Sequence, residues 1–177
     1  MSKHLVVTTT GHDRTGIVEE VTELLLQFDA NIEASRMARL GGEFAMIMLV
    51  SAPDEKIEAL RDAVRRLQEA DYQVTTLFTK SGDAKKFTGF IPYEIKVRGA
   101  DHVGIIHDVT RYLTEQGAHI ETLETDVVQA PMTGTPLFTM GAIVFIPPNV
   151  SFQELREALE KIGDDLGVDT EAAPHVD

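Results

Sequence analysis

Apolar positions along the chain change period in a regular order, and that order predicts the elements. Residues 5–10 are β-prone, and Tyr93, Ile95 and Val97 alternate with Glu94, Lys96 and Arg98, the period of two expected of a strand. Ile17, Val18, Val21, Leu24, Leu25 and Phe28 fall at i, i+1, i+4, i+7, i+8 and i+11. That stripe predicts an amphipathic helix, and Ile105, Ile106, Val109, Tyr112 and Leu113 repeat it. Residues 31–40 and 44–52 flank Gly41-Gly42, a hairpin signal. A second helix follows over 54–70 and a last strand over 72–79. Downstream, the pattern predicts strands near 119–129 and 137–146, a helix near 151–165 and a short strand near 167–172.

The order repeats at the level of residues. Gly11, Asp13, Gly16, Ile17, Val21, Thr22, Leu25, Ala30, Ile32 and Glu33 recur 88 positions later, 10 identities in 23 positions. Phe44, Met46, Val50 and Pro53 recur as Phe138, Met140, Val144 and Pro147, at an offset of 94. The second copy therefore has a connection six residues longer, around Ala130 to Pro136. Periodic apolar residues alone do not reproduce matched glycines and an Asp at fixed spacing. Each copy reads β-α-β-β-α-β, the split βαβ arrangement, so the expected class is α+β. Two tandem ferredoxin-like units are predicted, over 3–80 and 91–173. Each is a four-stranded antiparallel sheet with two helices on one face, joined by a linker over 81–90. A unit of about 80 residues has a small core, which favours pairing between copies or between chains.

Composition narrows the function classes. The 177 residues carry 16 Lys+Arg against 29 Asp+Glu, a net charge of −13. Residues 1–90 hold 11 and 14 of these, net −3, and residues 91–177 hold 5 and 15, net −10. That balance argues against unaided nucleic-acid binding, which needs clustered cations. Cysteine is absent, which removes disulfides and thiol chemistry. No apolar run approaches the ~18 residues of a membrane span, and the N-terminus turns polar too early for a signal peptide. A cytoplasmic protein is expected. His102 and His107 are five apart, not the i, i+4 spacing of a zinc-binding helix, so no metal and no cofactor are expected.

Two places carry candidate chemistry. The first is the strand-to-helix turn Gly11-His12-Asp13-Arg14-Thr15-Gly16-Ile17, with its second copy Gly99-Ala100-Asp101-His102-Val103-Gly104-Ile105. Asp13 and Asp101 stand where an N-cap belongs. Gly11 and Gly99 would relax the backbone, and Gly16 and Gly104 would admit a close neighbour. The turn reads either as helix-start architecture or as a pocket whose free amides attract a carboxylate or phosphate. The second place is Asn31, read either as a left-handed helix end or as a ligand contact, with His119 as its counterpart. Met37, Met46 and Met48 suit the core better than a ligand wall.

Residues 11–18, Asn31-Ile32-Glu33, Ser35-Arg36 and 44–49 resemble the ACT-domain family. More narrowly they resemble its glycine cleavage system transcriptional repressor group, which is built from two ACT domains in tandem. The family's usual turn has Pro where this chain has Thr15 and Val103. The resemblance implies that an amino acid binds at domain–domain interfaces, through Gly11, His12, Asp13, Arg14, Thr15, Gly16 and Ile17 together with Asn31 and Ile32. It implies a second site at Asp101, His102, Val103, Gly104, Ile105, His119 and Ile120. It further implies a non-enzymatic regulator that takes a small amino acid, glycine among the candidates, and acts on a regulatory protein partner as a homodimer. An assembly module with degenerate pockets is the alternative. Enzymes also carry ACT-like turns ahead of catalytic domains, and no such domain is expected here.

Overall fold

The computed structural model describes residues 2–70, 72–79, 87–131 and 133–176. The chain divides into two compact units, Met1–Asp83 and Ala84–Asp177. Residues 81–86 of the expected linker lie outside the described residues. Residues 87–90 form a turn closed by the Phe90 amide on the Phe87 carbonyl at 3.0 Å.

Unit 1 runs β1 (Ser2–His12), α1 (Ile17–Leu26), β2 (Asn31–Leu40), β3 (Glu43–Pro53), α2 (Ile57–Arg65), a 3-10 turn (Arg66–Ala70) and β4 (Gln73–Thr79). All its pairings are antiparallel, in the order β2-β3-β1-β4. Alternation decides which face is buried. Leu5 and Val7 of β1 lie opposite Val50 and Met48 of β3, all at most 1% exposed, on the face the helices cover. Ile17, Val21 and Leu25 of α1 and Ile57, Leu60 and Val64 of α2 complete that core. The predicted 54–70 helix is shorter than its pattern. Its last turn tightens to 3-10, which serves orphan carbonyls at a helix end, and Gln68 Nε2 donates to the Val74 carbonyl at 2.9 Å.

Unit 2 runs β5 (Ile91–Ala100), α3 (Ile105–Glu115), β6 (His119–Gln129), β7 (Pro136–Ile146), α4 (Phe152–Leu166) and β8 (Val168–Pro174). Its sheet order is β6-β7-β5-β8, the same topology. Ile95, Val97, Val109, Leu113, Val144 and Leu155 form its centre. Helix α4 begins on a capping box: Ser151 Oγ accepts from the Glu154 amide at 3.2 Å, and the Ser151 amide donates to the Glu154 carboxylate at 2.8 Å. The sequence carries that signal as Ser-Phe-Gln-Glu, and it fixes where α4 starts.

One irregularity recurs in both units and positions side chains. The β2–β3 register shifts between Ile32 and Ala34, and the β6–β7 register shifts between Ile120 and Thr122. The extra residue is Glu33 in one unit and Glu121 in the other, one of the identities of the repeat. A bulge of one residue exchanges the two faces beyond it. Met37 consequently pairs with Met46 and lies on the helix side of the sheet.

Candidate functional site

The turn after β1 is shaped by its backbone. Gly16, not Asp13, is the N-cap of α1, at φ 91°, and Gly104 caps α3 at φ 104°. An L side chain is strained in that region, so the glycines are there for angle. Among the described residues nothing stands within 4 Å of where a Cβ on either would lie, so neither makes the close approach expected of it. Gly99 is the position that does: its backbone is not left-handed, and a Cβ there would lie 2.6 Å from Val168 Cγ1. Asp13 and Asp101 sit three residues before the caps and act through their amides. These donate at 3.0 Å to the carbonyls of Gly42 and Pro136, which ties each turn to the neighbouring hairpin. The N-cap of α1 and of α3 is a glycine, so neither helix start has a side-chain cap from its own N-cap residue.

In unit 1 the first-turn amides border a groove of about 300 Å³. Asp13, Arg14 and Glu19 supply its charged lining, and Ile17, Val18, Met37 and Phe44 its apolar lining. Phe44 and Ile17 belong to the core, whereas Met37 is 57% and Val18 45% exposed. Met37 was expected in the core. Its place on an edge strand after the bulge brings it to the groove instead, and only the register could have revealed that.

Arg14 is held from behind. Its Nη2 donates to Glu20 and, at 2.5 Å, to the hydroxyl of Tyr72. The Tyr72 hydroxyl donates in turn to Glu20 at 3.1 Å, and its ring meets Phe44 edge-on at 5.9 Å. Burial, then the Glu20 carboxylate, raises the Tyr72 pKa above the ordinary phenol value. Arg39 lies 3.5 Å from the Asp13 carboxylate, and His12, at the end of β1, pairs with Glu43 at 2.6 Å. Thr15 is exposed.

In unit 2 a different residue holds the turn. His102 stands within hydrogen-bond reach of two carbonyls, Val103 O at 3.1 Å through Nδ1 and Leu166 O at 2.8 Å through Nε2. Both ring nitrogens can donate only in the imidazolium. Those carbonyls, Val103 first and then Leu166, with the Asp101 carboxylate beside them, raise the His102 pKa. Val103 is 96% exposed, and Ile105 is buried as the first residue of α3.

The structure does not bring Asn31 to the turn of its own unit. Asn31 is the first residue of β2 and pairs with Ser51, opposite His4, while the turn adjoins Gly11 and Phe44. Seven strand residues separate the two places, roughly 23 Å at ~3.3 Å per residue. Helix α1 is the reason, because it carries the chain back along the sheet before β2 begins. The left-handed residue at the helix end is Asp29 (φ 53°), not Asn31. Ile32 is half-buried against the core. His119 and Ile120 open β6 in the same way, and the His119 ring is stacked under Phe87, centroids 3.9 Å apart. Among the described residues no three His, Asp or Glu side chains converge as metal ligands, and no helix is long and apolar enough to cross a membrane.

Residues 3–76 match the ACT domain. Over 76 residues the chain is 37% identical to a UPF0237 protein of Methanopyrus kandleri, covering 42% of this chain and 78% of that protein. The chain belongs to the ACT-domain family. A 48-residue stretch is 50% identical to the glycine cleavage system transcriptional repressor of Escherichia coli strain K12. It spans 27% of this chain and a quarter, 25%, of that curated relative. The crystal structure of an unknown protein from Galdieria sulphuraria superimposes with a TM-score of 0.86 at 35% identity, over 99% of this chain and 100% of that one. This ACT protein is thus related to the glycine cleavage repressors and UPF0237 proteins, and its two units share the ferredoxin-like fold.

Proposed function

We propose that this ACT protein is a non-enzymatic regulator that binds a small α-amino acid in the groove of unit 1 and changes its contacts with a partner protein. The observation that carries the reading is the start of α1, on a glycine N-cap, opening into a groove flanked by Asp13 and Arg14. Helix α4, by contrast, is closed by its own capping box. An α-amino acid presents a carboxylate and an ammonium together. The amides of Ile17 to Glu19 and the Arg14 guanidinium suit the first, and the Asp13 carboxylate suits the second.

The small core of a unit of about 80 residues supports a homodimer, which would bury more of its surface. The net charge of −13 and the relation to a transcriptional repressor support a regulator that acts in the cytoplasm through a DNA-binding or enzymatic partner. Control of glycine cleavage and amino-acid metabolism genes is the proposed role. Such an effector acts only through different affinities for two states.

A thermal-shift screen of the purified protein against the common amino acids tests the reading. A ligand at ~100 times its Kd adds ~2.7 kcal/mol. A uniform absence of shift across all of them would refute it and favour an assembly module.

A further inference from the structure

We propose that the groove of unit 1 selects an α-amino acid with an uncharged apolar side chain, of the class of valine, leucine and methionine, over glycine. This rests on the amino-acid reading above and adds the side chain. The groove measures about 300 Å³, roughly ten times the ~30 Å³ share of one water and at the lower end of the ~300–1,000 Å³ of small-molecule sites. Glycine has five non-hydrogen atoms and leucine and methionine have nine; the groove admits all three, so its lining rather than its size decides between them.

The lining is divided by element. Charge comes from the turn and the helix start, at Asp13, Arg14 and Glu19. The β2 and β3 side and the next α1 position present Met37, Phe44 and Val18. A zwitterion held at the turn therefore directs its side chain onto an apolar wall. Met37 and Val18 are 57% and 45% exposed, so an apolar side chain laid on them removes surface from water that glycine leaves wet. The Glu33 bulge turns Met37 to this side. In unit 2 the position corresponding to Met37 is Thr125, paired with Met140 as Met37 pairs with Met46. That unit lacks the methionine, while Phe138 and Ile106 stand where Phe44 and Val18 do.

Titration calorimetry on the full chain with glycine, asparagine, leucine and methionine tests this. Leucine and methionine should bind about 10-fold or more tighter than glycine, the increment expected for covering one aliphatic side chain. Asparagine has nine non-hydrogen atoms like leucine but a polar side chain, and it should stay near glycine. Met37→Ser, at an exposed edge position, should weaken leucine about 10-fold more than it weakens glycine. Glycine binding as tightly as leucine would overturn the inference while leaving the amino-acid reading standing. Asparagine equal to leucine would likewise overturn it, since size alone would then govern. Binding by none of the four, with no shift in the wider screen, would overturn the underlying reading as well.

Discussion

Removing one oxygen from Tyr72 should loosen the turn that carries the groove. Tyr72 is 4% exposed, and its hydroxyl accepts from Arg14 at 2.5 Å and donates to Glu20 at 3.1 Å. Tyr72→Phe keeps the ring against Phe44 and deletes both bonds. A hydrogen bond to a charged partner contributes about 1.5–3 kcal/mol. Here the partners are 51% and 37% exposed and retain their own ion pair, so solvent screening brings the expected loss to about 1–2 kcal/mol. For a unit of this size 1 kcal/mol corresponds to ~4–8 °C in Tm, so the unit 1 transition should fall by about 4–16 °C. Circular dichroism melts of both proteins measure it, with calorimetry to separate the two units. Because Arg14 keeps Glu20 but loses the hydroxyl that fixes it, amino-acid binding should weaken in the same variant. A stability change within ±0.5 kcal/mol, the range of an ordinary surface substitution, would show that the Tyr72 hydroxyl does not hold the turn.

Two further outcomes are expected. Thr9 is fully buried with its hydroxyl unpartnered among the described residues, and Val97 fills the same place in unit 2. Thr9→Val should therefore stabilise by ~1–2 kcal/mol, read as a raised denaturant midpoint at unchanged m, and a lowered midpoint would contradict the reading. His102 has its pKa raised by the Val103 and Leu166 carbonyls, so its support of the unit 2 turn is complete below the ordinary histidine value near 6.5 and is lost as pH rises through the raised pKa. The difference in Tm between the wild type and His102→Asn should shrink with rising pH over that window, and a difference that is flat or grows would exclude the clasp.

The periodicity of Ile17, Val21 and Leu25 and the alternation of Tyr93, Ile95 and Val97 were enough to place the elements and pair the two copies. Both signals are local, because a side chain's face follows from its position along one helix or strand. The turn Gly11 to Ile17 was legible as a candidate site for the same reason: its glycines and charges are contiguous in the chain. The roles within it were not legible. Whether Gly16 is needed for its angle or Gly99 for its proximity depends on φ and on Val168, a residue 69 positions away.

Tertiary structure alone decided three things. The bulge at Glu33 moved Met37 onto the groove, since a slip of one residue reverses every side chain beyond it. The return path of α1 carried Asn31 to the far end of the sheet, although it lies only 14 residues after Ile17 in the chain. And the anchors behind the two turns, Tyr72 for Arg14 and the Leu166 carbonyl for His102, come from segments more than fifty residues downstream. Sequence carries the period of each element; which elements meet, and in what register, is fixed by burying their apolar faces together.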